Sequence, residues 1–376
     1  MLKILTLVGA RPQFIKSAAI SRAIRGAFSN KIEEILVHSG QHFDSNMSSV
    51  FFQELNLPTP NYQFELSAIG QSEQIAEIVL HLEKVIKSES PDAVLVYGDT
   101  NTTLAGALVA SKNNIPLIHV EAGLRSFNKT MPEEINRILT DHCSTLLFCP
   151  TQTAIENLKK ESIVHVNGVR DSDHPGVYMS GDVMYDNSLY FSEKTNDSLV
   201  NKLKLNHYVL FTLHRASNTD DSDYLVGICS MLIKFAENYE KEIVFPIHPR
   251  TKKALKSNMT TNEWRIFSEH KFIKMTDPVS FLDMISLEKN CDMVITDSGG
   301  VQKEAYFFEK PCLILRSETE WVEIVEQGVA ILVDANYLDL SAKYDLLKSK
   351  KLEYPSLFGD GNAAEFICNK IISEFS

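Results

Sequence analysis

The chain has 376 residues, enough for two domains of ordinary size, and its 44% hydrophobic and 23% charged residues are the balance of a globular protein in water. With 37 basic and 49 acidic residues the formal net charge is −12, which excludes the basic stripe of a nucleic-acid binder but not one anionic ligand held by local cations and helix N-termini. No apolar run approaches the roughly 18 residues of a membrane span, and six scattered cysteines without a Cys-x-x-Cys pair argue against zinc and for reduced thiols in a cytoplasmic protein.

In chain order, Met1 to Gly9 is too short for a signal peptide and reads as a first buried strand. Strands are expected at Lys3–Val8, Glu34–His38, Ala93–Tyr97, Leu117–Glu121 and Thr145–Cys149. Amphipathic helical patterns separate them at Ile15–Ile24, Gln71–Ser88 and Thr102–Asn113. The alternation then restarts, with strands at Tyr208–Thr212, Ile243–Ile247, Met293–Thr296 and Cys312–Leu315 and helices at Tyr224–Glu237 and Val279–Ser286. Short apolar strands alternating with helices predict an α/β fold of two Rossmann-like, doubly wound parallel sheets facing a central cleft. A Gly-, Asp-, Ser- and Pro-rich stretch from Gly168 to Asp186 marks the expected boundary, giving domains at about 1–180 and 181–360. No short repeat or low-complexity tract interrupts this pattern.

Ligands of such sheets sit at the carboxyl ends of the strands, so the polar residues there are the candidates. The first strand ends in Gly9-Ala10-Arg11-Pro12-Gln13-Phe14-Ile15-Lys16, which lacks the Gly-x-Gly-x-x-Gly of a nicotinamide site and offers the cations Arg11 and Lys16 instead. Tyr97-Gly98-Asp99-Thr100 follows the third strand, where an Asp also serves simply as a helix cap. Glu121 ends the fourth strand among small residues, a costly position for a carboxylate unless it is paired or used. Pro132-Glu133-Glu134 suits the first turn of a helix and is ordinary there when taken alone. In the second half, His214-Arg215 ends a strand as an anion or general-acid site. Asp297-Ser298-Gly299-Gly300 leads into a helix whose amides can approach a diphosphate, with Glu304 one turn on to accept ribose hydroxyls.

Together these motifs resemble the non-hydrolysing UDP-N-acetylglucosamine 2-epimerase family, through most of the chain. The segments that carry the resemblance are Gly9-Ala10-Arg11-Pro12, Gly98-Asp99-Thr100, Val120-Glu121-Ala122-Gly123-Leu124-Arg125, Pro132-Glu133-Glu134-x-Asn136-Arg137, His214-Arg215 and Ser298-Gly299-Gly300-x-x-x-Glu304. The resemblance implies the architecture of GT-B glycosyltransferases, a homodimer, and a last helix, about 361–376, that crosses back to the first domain. It implies a UDP-amino sugar substrate, no nicotinamide and no metal, and service in surface polysaccharide precursor synthesis. Carried over motif by motif, Arg11, Lys16, Asp99, Glu121, Glu133 and His214 match catalytic-cleft positions. Arg215, Ser298, Gly299, Gly300 and Glu304 match positions that hold the UDP part or close over it. Three departures stand out: Ala10 and Gln13 replace a common Thr and Glu, Ala216-Ser217-Asn218 replaces Arg-Glu-Asn, and Trp321 replaces an arginine after Thr319-Glu320. These variants look like the branch acting on UDP-2,3-diacetamido-2,3-dideoxyglucuronate. Some members are activated by substrate in a second pocket, and one of its polar positions is taken here by Asp44 in Gln41-His42-Phe43-Asp44, a variation that does not support that regulation.

The chemistry implied is elimination. C2 of the sugar has no carbonyl beside it, so a base takes its hydrogen while UDP leaves C1, and UDP re-adds after a proton reaches the other face. Asp99, Glu121 and Glu133 are the candidates for moving protons, with the carboxylate serving each face left open, and His214 for assisting the leaving diphosphate. A GT-B glycosyltransferase, a hydrolysing epimerase and a non-enzymatic nucleotide-sugar sensor are the alternatives. Three acidic segments in the first half favour epimerisation over transfer, which needs mainly one base.

Overall fold

The computed structural model describes residues 1–41, 52, 54–68, 70–333 and 337–375, without the side chains of residues 216, 217 and 337. They fall into two compact units, Met1–Leu189 with Ser356–Ser376 and Tyr190–Pro355.

The first unit holds a seven-stranded sheet: β1 (Leu2–Val8), β2 (Ile32–His38), β3 (Tyr62–Gln63), β4 (Ala93–Tyr97), β5 (Leu117–Val120), β6 (Leu146–Cys149) and β7 (Gly176–Met179). All neighbours pair in parallel, in the order β3-β2-β1-β4-β5-β6-β7. Every residue of β4 is buried, which explains why it reads as a continuous apolar run rather than an alternating one. Helices Arg11–Arg25, Asn101–Lys112 and Pro132–Cys143 follow β1, β4 and β5. The helix Ala363–Phe375 packs against Arg11–Arg25 within this unit. Asp186 accepts the N–H groups of Ala363 and Ala364, at 3.1 and 2.8 Å, and so caps that helix from a distant segment. Burial pushes the Asp186 carboxyl up to about 6, against the pull of those two donors.

The second unit repeats the plan with β8 (Tyr208–Thr212), β9 (Glu242–Pro246), β10 (Ile273–Thr276), β11 (Met293–Thr296), β12 (Cys312–Ile314) and β13 (Ala330–Leu332). The strands are parallel in the order β10-β9-β8-β11-β12-β13. Phe211, Phe235, Phe245 and Phe267 are fully buried at the centre of its core. The α/β class with two doubly wound sheets is thus as the sequence predicts. In each sheet the strand order reverses once, between β1 and β4 and between β8 and β11. That reversal opens the crevice where ligands of such sheets bind.

The differences are local. The short strands β3, β7, β10 and β13 were not expected, and β7 lies inside the Gly- and Pro-rich stretch. β5 ends one residue early because Glu121 turns into the left-handed region at φ +70°. No helix among the described residues is long and apolar enough to cross a membrane. All six cysteines are free thiols, and five are buried.

Candidate active site

The crevice of the first sheet is lined by side chains from three strand ends. After β1, Ala10 begins the helix Arg11–Arg25 with Pro12 in its first turn. Gln13, buried at the base of the turn, accepts the N–H groups of Gly9 and Ala10, at 2.8 and 3.1 Å. Its amide donates to the carbonyl of Tyr97 at the end of β4, at 3.0 Å, and to Thr103 Oγ1. A carboxylate could accept the first pair but not supply the second, so Gln at this position ties two strand ends together. Arg11 is exposed, and Lys16 forms an ion pair with Glu121 in which both side chains are about nine-tenths buried.

Glu121 is one of the few non-glycine residues held at positive φ, a conformation that costs energy and clusters at functional sites. Its N–H and that of Ala122 both donate to the carbonyl of Phe148, at 3.1 and 3.0 Å, which fixes the turn. Gly123 follows at φ +80°, where a Cβ would run into the Ala154 backbone, so only glycine fits. The turn therefore swings the Glu121 carboxylate out of the β-alternation.

Asp99 stands one strand over. It pairs with Arg137, which also reaches Glu134 Oε2 at 3.0 Å. Asn136 donates to the Asp99 carbonyl at 3.0 Å. Glu134 is buried and accepts the N–H groups of Ser126 and Phe127, both at 2.9 Å, so it organises the preceding loop. Glu133 is exposed in the first turn of the same helix.

Behind both carboxylates lies a buried network that the sequence did not reveal. His119 of β5 sets Nε2 against the carbonyl of Gly98, at 2.7 Å, and Nδ1 against Asp141, at 2.7 Å. A carbonyl only accepts, so Nε2 carries a proton. Asp141 also accepts from Arg125 Nη1 at 2.7 Å and from Gly123 N at 3.2 Å. Burial alone would raise the Asp141 carboxyl, yet the hydrogen bonds and charges of His119 and Arg125 hold it below the usual carboxylate range. The pair thus steadies both turns, His119 the one at Gly98 before Asp99 and Asp141 the one at Gly123 after Glu121. Only the convergence of three segments shows this.

The second sheet builds its crevice differently. Asp297, fully buried after β11, accepts the N–H groups of His214 and Arg215, at 3.1 and 2.9 Å, and the Asn218 amide at 3.1 Å. This locks the end of β8 to the end of β11. The His214 ring stands 46% exposed with Nδ1 3.5 Å from Asp297. Ser298 caps the helix Gly299–Phe307, and Gly299 and Gly300 leave its first N–H groups uncovered by side chains of their own. Glu304 is buried one turn on, with Oε2 3.9 Å from where a Cβ at Gly300 would sit. Arg316 and Glu320 pair at 2.9 Å beside Gly299.

Of the predicted residues, Lys16, Asp99 and Glu121 meet at the first crevice, with Arg11 and Glu133 exposed nearby in sequence. His214, Arg215, Ser298, Gly299, Gly300 and Glu304 gather on neighbouring strand ends of the second. Trp321, which replaces an arginine common at this motif position, is 2% exposed, with Lys303 Nζ 4.0 Å over its ring. Asp44 lies outside the described residues. Among the described residues no His, Cys, Asp and Glu cluster is arranged to hold a metal ion.

Comparison with known proteins agrees with this geometry. The family model described as UDP-N-acetylglucosamine 2-epimerase matches residues 26–372. A UDP-N-acetylglucosamine 2-epimerase homolog of Methanococcus maripaludis is 46% identical over 96% of this chain and 97% of its own. The UDP-2,3-diacetamido-2,3-dideoxy-D-glucuronate 2-epimerase of Pseudomonas aeruginosa is 44% identical over 97% and 98%. The crystal structure of Methanocaldococcus jannaschii UDP-GlcNAc 2-epimerase in complex with UDP-GlcNAc and UDP superposes with a TM-score of 0.85, at 40% identity and 99% coverage of both chains. With a family model over nearly the whole chain and full-length relatives above 40% identity, the chain belongs to the UDP-N-acetylglucosamine 2-epimerase family.

Proposed function

We propose that the chain inverts C2 of a UDP-linked 2-acetamido sugar without net hydrolysis, by elimination and re-addition of UDP. The observation that carries this reading is the pair of carboxylates on adjacent strand ends, Asp99 and Glu121, each joined to a cation at the crevice of the first sheet. A carboxylate takes the C2 proton; the C–H electrons form the C1–C2 double bond, and the C1–O bond breaks towards the diphosphate. Lys16 and Arg137 sit where they can exchange charge with those carboxylates as protons move. A second acid, drawn from Asp99, Glu121 and Glu133, returns a proton to the opposite face of C2 while the diphosphate oxygen closes on C1, so no atom is gained or lost.

In this reading each unit is a domain: the first handles protons, and the second holds UDP. The amides of Gly299 and Gly300 and the positive end of the helix Gly299–Phe307 stabilise the departing diphosphate, with His214 and Arg215 as its charged neighbours, while the Ser298 N–H is spent on Thr296 Oγ1. Glu304 takes the ribose hydroxyls. The relatives named above act on UDP-N-acetylglucosamine or on its 2,3-diacetamido-glucuronate analogue, and either sugar presents the same C2 to this chemistry. A cytoplasmic homodimer in surface polysaccharide precursor synthesis completes the proposal. The exposed Leu80, Phe127, Ile135 and Leu139 of the first unit support self-association.

Incubation with UDP-N-acetylglucosamine, or with the diacetamido-glucuronate analogue, in D₂O and without an acceptor tests it. One deuterium is expected at C2 of both epimers, with UDP far below the sugar nucleotide throughout. Epimerisation without solvent deuterium, or UDP and free sugar accumulating together, would reject the mechanism.

A further inference from the structure

Glu288 sits in the last turn of the helix Phe281–Asn290, and none of its surface reaches solvent. Neither of its carboxyl oxygens receives a hydrogen bond from a protein donor. A buried carboxylate without a donor or a cation is among the most costly groups a fold can carry, and a native protein rarely leaves one without a reason. The polar side chain that meets it is Glu304, the carboxyl assigned above to the ribose, from the adjoining helix Gly299–Phe307.

The surrounding charges do not resolve the conflict. On the same helix and just after it, Cys291 donates to the Glu288 carbonyl, and Asp292 is held by Lys241 and His207. Asp197, before the helix Ser198–Lys202, is occupied by Ser286 and Asn290. From β8, Tyr208 gives its hydroxyl to the Leu287 carbonyl. On the helix that carries Glu304, Lys303 lies over Trp321, and Lys310 beyond that helix lies towards Cys291. Two carboxyls in contact cannot both be ionised, and with no donor on either Glu288 oxygen among the described residues the pair must hold a proton. Glu304 has an oxygen turned towards Gly300 at the helix start, whereas Glu288 is sealed from water. The proton therefore rests on Glu288.

We infer that Glu288 is a positioning residue: a neutral acid that donates its O–H to the Glu304 carboxylate and so orients that carboxylate towards the ribose. The inference rests on the assignment of Glu304 to the ribose in the proposed function. A charge-assisted bond of this kind is stronger and more directional than a neutral one, and it leaves Glu304 as a pure acceptor for two hydroxyls. Burial first, and then the neighbouring Glu304 charge, hold the Glu288 proton well above the usual carboxylate range. With the folded value raised, the ordered pair is present at low and neutral pH and is lost as pH rises through the raised value, when two negative charges push Glu304 aside.

Calorimetry of the full-length protein with UDP and with 2′,3′-dideoxyuridine diphosphate tests this, using E288Q, E288M and E304A. E288Q keeps a donor that cannot ionise. It should bind UDP within about twofold of the wild type near neutrality, and should lose the decline in affinity expected of the wild type as pH rises through the raised Glu288 value. E288M keeps the volume but removes the donor. It should weaken UDP about tenfold and leave the dideoxy nucleotide nearly unchanged. An E288M protein that binds UDP like the wild type, or weakens both nucleotides alike, overturns the role of Glu288. If E288M does not fold, E288Q decides alone: a flattened pH profile supports the proposal, and a wild-type profile overturns it. E304A separates the two layers. Equal loss for both nucleotides removes the ribose assignment and this proposal with it, whereas a loss confined to UDP beside an inert Glu288 removes only the latter.

Discussion

The two crevices share a topology and are furnished in opposite ways. At the end of the first sheet the working groups are ionisable side chains already matched with counter-charges, Glu121 with Lys16 and Asp99 with Arg137. At the end of the second, the charge of Asp297 points inward to fix backbone, and what faces outward is mainly helix-start amides and two glycines. Under the proposed reaction, the difference is a division of labour within one fold. Proton transfer needs groups whose charge can change, and they are kept in register by neighbours whose charge compensates. Holding a diphosphate needs dipoles that do not change, which the main chain provides without any titration.

The sharpest way to break the comparison is to neutralise the first crevice. Asp99→Asn and Glu121→Gln should each cut kcat by about 10³-fold or more while UDP affinity stays within a few-fold, since one positioned acid or base contributes roughly 10²–10⁴. Turnover near the wild-type rate in either folded variant removes that residue from the scheme. Asp297→Asn attacks the second crevice. An amide replaces one of two accepting oxygens and faces donors with a donor, so UDP affinity should fall about 10- to 100-fold, with a lower melting temperature and a smaller change in kcat. A variant that lost kcat but kept UDP would show that Asp297 belongs with the chemistry instead. The smallest effect is expected behind the first crevice. His119→Phe removes the tie to Gly98 and one of the donors to buried Asp141, and should lower kcat about tenfold and stability by about 2 kcal/mol, with UDP binding nearly intact in calorimetry.

Much of this arrangement was legible in the sequence. Ala93–Tyr97, Tyr208–Thr212 and Met293–Thr296 were read with their observed bounds because a strand covered on both faces is an unbroken apolar run between turn residues. The polar groups just beyond such runs could then be placed by the rule of the sheet alone. Four short strands escaped. β7, at Gly176–Met179, lies among glycines and prolines, and β3 has only two residues, so neither gives a periodic signal.

The supports of the site were the larger omission. Gln13, His119, Asp141 and Asp297 act by bonding main chain from remote segments, and no local spacing records such a meeting. The burial of Trp321 was hidden for a related reason. Its motif position was right, but the cation above its ring turns it into packing. Glu288, between a leucine and a lysine on an amphipathic stretch, looks like any surface glutamate until its burial is known.

The second unit is one uninterrupted length of chain, Tyr190–Pro355, whereas the first is assembled from two pieces. Because domains tend to fold as they leave the ribosome, the half that is begun first is the half that is finished last. The helix Ala363–Phe375, clasped by Asp186 and laid on Arg11–Arg25, is a late keystone for a sheet made long before. Until it arrives, a nascent chain can own a complete second unit while the first waits for closure.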